Sequence, residues 1–406
     1  IALAEIAKPD AVPKPRRGLG IPLATRFESQ LSEDGTFLAA SLVGQATEGL
    51  FHIGPTPIRF NDVAVWFEWV GDDPKIRIRR SHAINGETKL LFSGLLTPPA
   101  TQEEDWLIDL RSEMVQLGAS DVPLPPFMLD RFTLEGRFES KSRTLYFDKV
   151  SLSAGRANAA ASGSVQIRKD GPYVALAIEG EAVPVGLAKH MWPVTLVPPA
   201  RRWVLERIKT GLIEKASAVV SLRPPAFDRS DPDPGWSGDD LKVDLSFRDG
   251  RVAPVGSVPD AYSLSGDLKV ENEVMTVRAK DGLIYTGGGA RVDVPDVMFQ
   301  IHRLTERENK LGVVDVEMAG GAKEIGRIFD SAPFKVLQRT DIRPAALAGD
   351  GTARVRAEFP MRKKIDLSMV EWQAEAVSAD FSLTEPVRGH KIENADIMLR
   401  ADSSQV

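Results

Sequence analysis

Histidines and acidic pairs are the residues of this sequence best suited to catalysis. Five histidines are present, and none has a second ligand at metal-binding spacing. No Gly-x-Ser-x-Gly, His-Glu-x-x-His or phosphate-loop motif occurs. A solitary histidine is more often a surface or core residue than a ligand. We therefore assign no catalytic or metal-binding role to His52, His82, His190, His302 and His390.

Paired carboxylates offer a second chemistry, because glycoside hydrolysis needs two carboxyl groups about 5–10 Å apart. Residues 103–105 (Glu-Glu-Asp) and 239–240 (Asp-Asp) are the candidates, and a solvated loop is the simpler interpretation of both. Residues 287–289 (Gly-Gly-Gly) lack the lysine and helix start of a phosphate cradle, so we predict a strand bend or bulge. We therefore predict that the chain is not an enzyme and holds no cofactor or metal.

A basic cluster offers the third possibility. Arg77, Arg79 and Arg80 alternate with Ile76 and Ile78, which indicates the hydrated face of a strand. Contact with anionic lipid head groups is the alternative. The formal net charge of −6 argues against a nucleic-acid partner bound through bulk charge.

Composition limits the class of protein further. The 406 residues include no cysteine, which excludes disulfides, thiolate metal sites and cysteine nucleophiles. No run of about 18 apolar residues is present to span a bilayer as a helix. The sequence begins at an isoleucine and contains no signal peptide, so we expect an anchor or export signal in a segment outside it.

The elements that position these residues are predicted to be strands. Residues Leu241, Val243, Leu245 and Phe247 alternate with polar residues, and the segment 354–359 repeats the pattern. Period two gives each strand one apolar and one hydrated face, as in antiparallel sheets. Turn signals that separate such runs predict a meander of hairpins; they are 71–74, Asn85-Gly86, 169–171, Asp249-Gly250 and Asp281-Gly282.

A weak internal repeat accompanies the alternation. Gly136-Arg-Phe138 followed by Leu145-Tyr-Phe147 matches Gly266-Asp-Leu268 followed by Met275-Thr-Val277 at a spacing of 130 residues. A looser third copy extends from Trp66 to Leu95. Such spacing indicates repeated structural units.

Two segments break the strand pattern. Residues 199–216 and 322–330 are predicted to be helices, the first with Val204, Leu205, Ile208 and Leu212 as its apolar stripe. Packing across a sheet is the favoured position for the first helix, and a membrane surface is the alternative. We divide the chain into an irregular lead-in (1–25), a first β segment (26–190), a helical signature (191–217) and a second β segment (218–406), with a linker candidate at 224–238.

The helical signature carries a family resemblance. Trp192-Pro193, Pro199, Arg202-Trp203, Ile208 and Gly211 follow the order seen in YhdP-like proteins of the AsmA superfamily. The layout from about 136 to 400 is also similar, including 249–252 (Asp-Gly-Arg-Val), 321–324 (Gly-Ala-Lys-Glu) and 349–355. The chain resembles that family through this stretch, with Trp192, Pro193, Trp203 and Gly211 as its most distinctive residues.

The resemblance implies a fold and a function. YhdP-like proteins, like the related TamB and bridge-like lipid transfer proteins, are envelope proteins anchored in the bacterial inner membrane, with a long β body in the periplasm. By this resemblance we expect a mainly β chain: a long, curled antiparallel sheet with one or two short helices, whose apolar groove carries phospholipid or another acyl lipid between the inner and outer membranes. The groove candidates are Leu241, Val243, Leu245, Phe247, Val355 and Phe359.

Other interpretations stay open at this point. From the alternation alone, the same apolar residues are better explained as a dry core under a covering layer. A periplasmic scaffold or assembly factor for outer-membrane proteins, which holds β-strands through a sheet edge or groove, is the second function. A glycan-active enzyme is the third and is the least favoured, because the acidic clusters lie at predicted turns.

Overall fold

The computed structural model describes residues 23–404, apart from 54–55, 72, 195–196, 228–234, 307, 333, 336, 340–341, 363–366, 387–388 and 390. Side chains of 50–59 and of residues 113 and 198 are also outside the description. The strands are β1 (Leu23–Leu31), β2 (Phe37–Ile53), β3 (Thr56–Val70), β4 (Ile76–Asn85), β5 (Thr88–Thr97), β6 (Trp106–Leu117), β7 (Phe127–Leu129), β8 (Arg131–Glu139), β9 (Thr144–Ala154), β10 (Ala157–Arg168), β11 (Gly171–Pro184), β12 (Ile208–Leu222), β13 (Leu241–Val252), β14 (Ala261–Glu271), β15 (Val274–Gly287), β16 (Ala290–His302), β17 (Leu311–Gly321), β18 (Leu347–Pro360), β19 (Glu371–Leu383) and β20 (Ala395–Asp402). The α-helices are α1 (Val185–Met191), α2 (Pro198–Arg207) and α3 (Ala322–Asp330).

The strands form one open antiparallel sheet in chain order. Each strand from β1 to β6 pairs with the next, β6 pairs with both the three-residue β7 and β8, and the meander continues from β8 to β20. β1 and β20 are its two edges. The predicted long antiparallel sheet is confirmed, with three short α-helices in the described residues in place of one or two.

Strand register separates the side chains into two faces. Leu245 is in register with Ala216 of β12 and Leu268 of β14, whereas Asp244 is in register with Ser217 and Lys269. Register partners share a face, so we name the side of Leu245 the apolar face and that of Asp244 the hydrophilic face. The pairing extends the apolar face along the sheet through Phe27, Leu42, Phe67, Trp69, Ile78, Leu96, Ile108, Leu134, Phe147, Val165, Leu176, Ala218, Val277, Phe299, Val316, Val355, Trp372 and Leu399.

Glycines on the apolar face let the sheet curl towards that side. A β-carbon on Gly94, Gly163 or Gly266 would lie closer than 3.0 Å to a carbonyl oxygen of the neighbouring strand. All three positions belong to the apolar face by register. The neighbouring strand therefore folds over the apolar face at each of them, which makes that face concave there.

The helices lie along one rim of the sheet. α1 and α2 connect β11 to β12, and α3 lies in the connection from β17 to β18. In a meander these two connections lie at the same ends of the strands, and we call this side the helix-bearing rim. Two buried clusters form beneath the helices, one around Leu187 of α1 and one around Ile325 and Ile328 of α3.

The two helix insertions follow matching sets of strands. β8–β11 lead to α1 and β14–β17 lead to α3. Gly136 and Phe138 pair with Phe147 and Leu145 in the first set, and Leu268 pairs with Val277 in the second. This order of elements supports the repeat seen in the sequence, since both copies place their hairpin before two further strands and a helix.

Several predicted boundaries were wrong. The helix expected over 199–216 ends at Arg207, because Ile208 onwards pairs with both β11 and β13 as β12. Asp249-Gly250 and Asp281-Gly282 lie inside β13 and β15 and form no hairpin turn. Asp249 and Asp281 have φ of 55° and 61°, and beside Asp249 the ladder shifts register, as in a bulge.

Other boundaries agree with the sequence. α3 has the predicted bounds, and Asn85-Gly86, the described residues of 71–74 and 169–171 lie at connections between strands. Residues 287–289 form the hairpin end of β15 and its turn into β16, in place of a mid-strand bend. The described part of 224–238 contains no strand, and the lead-in 1–22 lies outside the described residues.

Replacement of Gly266 by alanine tests the curl. The new β-carbon would collide with the main chain at Arg278, which cannot rotate away, so we expect Gly266→Ala to lower the free energy of unfolding by about 1–3 kcal/mol. Gly186→Ala is the matched control, because its β-carbon would meet only Leu124 Cδ1 at 3.7 Å. Urea denaturation of both variants measures the difference, and equal stabilities would contradict a tight curl at Gly266.

Candidate functional site

The six predicted groove residues all lie on the apolar face. Leu241, Val243, Leu245 and Phe247 alternate along β13, and Val355 and Phe359 lie on β18. All six are half-buried. No second sheet or long helix in the described residues covers this face, so its apolar side chains keep contact with solvent.

The buried cluster beneath α3 divides these six residues into two groups. Phe247 and Val355 pack against the buried cluster that includes Ile325 and Ile328 of α3. These two half-buried residues therefore contribute to the packing of that cluster. Leu241, Val243, Leu245 and Phe359 belong to neither buried cluster and line the open part of the face.

Charged side chains are excluded from the apolar face. From β8 to β20, every Asp, Glu, Lys or Arg at a described register position falls on the hydrophilic face. Many of them pair across strands there; Arg354 binds Asp315 through two hydrogen bonds of 2.8 and 2.9 Å, and this raises the pKa of Arg354. From β8 to β20, the described register positions of the apolar face thus offer no ionic partner for a polar ligand group.

An apolar hollow lies at the other end of the sheet. A cavity of about 340 Å³ opens over β1–β6, within the size range of small-molecule sites. All its lining residues except Ser41 belong to the apolar face; they are Phe27, Ala40, Leu42, Phe67, Trp69, Ile76, Leu96 and Trp106. We call this cavity the N-terminal hollow.

Sequence reasoning missed the N-terminal hollow. In β3, Trp66 points to the hydrophilic face between Val65 and Phe67 of the apolar face, so aromatic residues occupy both faces and obscure the alternation. The sequence did contain one indication of this site: the aromatic residues Phe67 and Trp69 are two positions apart, and Ile76 and Ile78 follow with the same spacing.

The hydrophilic face has a depression of its own over β8–β14. Its volume is about 980 Å³, and its lining mixes serines with charges of both signs, among them Glu179, Glu181, Lys215 and Asp244. Leu245 is among the lining residues because its backbone belongs to β13, although its side chain lies on the apolar face. This depression differs in character from the apolar face and brings together none of the other predicted groove residues.

Polar groups anchor α1 to its surroundings. His190 accepts a hydrogen bond from the Ala119 amide at Nδ1 and donates from Nε2 to the Pro125 carbonyl, both at 3.1 Å, as the neutral imidazole does. Lys189 donates to the Ile208 carbonyl. Burial lowers the pKa of Lys189, and the nearby charge of Lys209 lowers it further.

The family-signature residues occupy the helical connection. Trp192 ends α1, Pro193 is exposed beyond it, and Trp203 lies in α2. Gly211 lies in β12 with φ of 150°, where a β-carbon would be 3.3 Å from Val185 Cγ2. The signature therefore describes how α1 and α2 join β12.

The residues considered for catalysis do not assemble. His82 pairs with Asp62 at 2.9 Å on the hydrophilic face, His190 is structural, and His390 and the side chain of His52 lie outside the described residues. Asp105 binds Arg137, and Asp240 caps a short turn at Ser237. Arg79 of the basic cluster binds Glu68.

Metal and membrane sites were also sought in the described residues. No group of three or more His, Cys, Asp or Glu side chains there is placed to hold a metal ion. No helix there is long and apolar enough to cross a membrane. No family model, curated protein or solved structure matches the chain.

Adjacent leucines on opposite faces test the N-terminal hollow. Leu96 lines it, and Leu95 is 36% exposed on the hydrophilic face. We expect Leu96→Asp to weaken binding of an apolar fluorescent dye at least about fivefold, because a carboxylate is costly to desolvate. Leu95→Asp should leave dye affinity unchanged, and equal losses in the two variants would contradict a binding site on the apolar side.

Proposed function

We propose that this chain is a lipid-conducting module that holds acyl chains along its apolar face. One observation carries the proposal: an apolar face runs in register along the sheet, curled towards that side at Gly94, Gly163 and Gly266, without charged side chains at described register positions from β8 to β20 and without a second sheet over it in the described residues. A soluble protein rarely leaves so large an apolar surface uncovered unless it serves binding.

The dimensions of the sheet suit acyl chains. Eighteen strand-to-strand steps from β1 to β20 at about 4.8 Å each give roughly 85 Å along the sheet. The hydrocarbon core of a bilayer, two acyl layers thick, is about 30 Å. The apolar face is therefore long enough for several acyl chains placed end to end.

The energetics favour movement over tight capture. Each buried methylene contributes about 0.8 kcal/mol, whatever its position along the chain. Successive strands offer similar apolar surface, so an acyl chain that advances by one strand exchanges one set of contacts for an equivalent set. Specificity for one lipid would need a fixed polar contact, and the apolar face has no charged group from β8 to β20.

The resemblance to YhdP-like proteins of the AsmA superfamily agrees with this role. On that basis we propose a non-enzymatic carrier of phospholipid in the bacterial periplasm, anchored to the inner membrane by a segment outside this sequence. Contact with the inner and outer membranes belongs to segments outside it as well. Nucleic acid is not among the proposed partners.

Native mass spectrometry with lipid extraction tests the proposal. We expect phospholipid to copurify with the chain, and Val243→Asp with Leu245→Asp to reduce the retained lipid at least about tenfold, because the carboxylates would be desolvated against acyl chains. Val377→Asp is the control, since Val377 is exposed on the hydrophilic face. A folded, lipid-free wild-type chain that also refuses a fluorescent phospholipid would disprove the carrier.

The edge strand β1 supports a second candidate, a scaffold for outer-membrane proteins. All nine of its residues are exposed, and only β2 pairs with it among the described strands. An open edge can bind a further strand through main-chain hydrogen bonds. Binding of unfolded barrel-strand peptides by a lipid-free chain, lost on shortening β1, would favour this function.

A further inference from the structure

Helix α2 carries an aromatic side chain that reaches across the apolar face. The ring of Trp203 lies nearly parallel to that of Phe299 in β16, with centroids 6.5 Å apart and an interplanar angle of 13°. α2 continues directly into β12, and three strands, β13, β14 and β15, separate β12 from β16. Four strand steps at about 4.8 Å correspond to roughly 19 Å along the sheet. The ring pair therefore bridges distant parts of one face.

The contact also lies far from the rim to which α2 is attached. Ile208, the first residue of β12, is connected by successive register partners to Val292 of β16. Phe299 lies seven residues beyond Val292, close to the end of β16 at His302. The ring pair thus connects α2 with the far part of β16, and the apolar face of β13–β15, which includes Leu245 and Leu268, lies between the two attachment points in the sheet.

Backbone strain and unpaired donors oppose the observed position of α2. Trp203 is 44% exposed despite its stacking on Phe299. Arg201, the buried residue of the helix, donates from Nη2 to Asp121 at 2.7 Å, but its buried Nε and Nη1 have no acceptor among the described residues. Val197 caps the helix at φ of 43°, a left-handed conformation that β-branched residues disfavour. Buried donors without acceptors and backbone strain both raise the free energy of this state.

We propose that α2 is a gate on the apolar groove, which closes over β13–β15 through the Trp203–Phe299 contact and lifts when an acyl chain enters beneath it. This inference rests on the proposed function, since it assigns a moving part to the lipid path. The acyl chain and the indole ring compete for the same apolar surface, so burial of the lipid replaces the stacking that the gate loses. The gate therefore lies between the N-terminal hollow and the part of the face formed by β16–β20.

Reversible crosslinking tests the gate, because the chain contains no cysteine of its own. In Trp203→Cys/Phe299→Cys, a short bis-methanethiosulfonate reagent would fix α2 over the face, and dithiothreitol would release it. A phospholipid with a diazirine in its acyl chain then reports where lipid lies by peptide mapping. We expect crosslinking to reduce labelling of β13–β15 at least about tenfold, to leave labelling of the N-terminal hollow unchanged, and to be reversed by dithiothreitol.

The matched control places the same crosslink on the other side of the sheet. Ser246 and Asp267 are register partners on the hydrophilic face of β13 and β14. Crosslinked Ser246→Cys/Asp267→Cys should be labelled in β13–β15 as strongly as the uncrosslinked chain. Unchanged labelling of β13–β15 in the crosslinked 203/299 variant would disprove the gate and would leave the proposed lipid groove intact.

A second variant covers the case in which the 203/299 crosslink fails to form. Trp203→Ala removes the ring that holds α2 down, so we expect labelling of β13–β15 to rise at least about twofold relative to the wild-type chain. No rise would also overturn the gate. Absence of labelling in both the N-terminal hollow and β13–β15 of every variant would instead disprove the groove, and the gate with it.

Discussion

Period-two alternation, kept in phase through successive antiparallel pairs, is the constraint on which the rest of this structure depends. A slip of one residue in any hairpin would turn the side chains of that strand to the opposite face. The ladder does shift register, for example between Phe247 and Gly250 in β13. The extra residue is absorbed there by the bulge at Asp249, and Gly250 and Val252 return to the apolar side. Bulges thus bend the sheet without exchanging its faces.

A single-layer sheet of this size needs a reason not to collapse or aggregate through its apolar side. Two features supply it. Glycines such as Gly94 and Gly266 allow neighbouring strands to curl over the apolar face, which leaves its side chains half-buried in place of fully exposed. The hydrophilic face carries cross-strand ion pairs, of which Arg354–Asp315 has the best geometry. Exposed ion pairs contribute little to stability, so their main effect is to keep that face hydrated.

Local alternation was enough to predict the sheet, the apolar residues of β13 and β18, and helix α3. What failed required knowledge of partners distant in sequence. Residues 208–216 have helical spacing of Ile208 and Leu212, but they form a strand because β11 and β13 are available to pair on both sides. Asp249-Gly250 has the composition of a turn, and only the continued pairing of β13 shows it to be a bulge. α1 is seven residues long, too short for periodicity to reveal.

The division of the six groove residues has the same origin. Alternation places Phe247 and Leu245 on one face and cannot distinguish them further. Phe247 packs against the buried cluster that lies beneath α3, whereas Leu245 belongs to neither buried cluster. The members of that cluster lie on later strands and in α3, so the spacing of residues within β13 alone does not reveal the difference.

The placement of the helices also determines how an amphipathic lipid would lie. All three α-helices occupy one rim, and α1 and α3 close that side with buried clusters. The apolar face from β8 to β20 offers no charge to a head group, and the charged residues of the opposite face are separated from it by the backbone of the sheet. A polar head group therefore keeps its hydration only by projecting beyond the opposite rim, where the connections between strands carry no α-helix in the described residues. Under the proposed function, an acyl chain held this way would move along the sheet while its head group follows the open rim in water, and the gate proposed for α2 would control the acyl-chain part of that path.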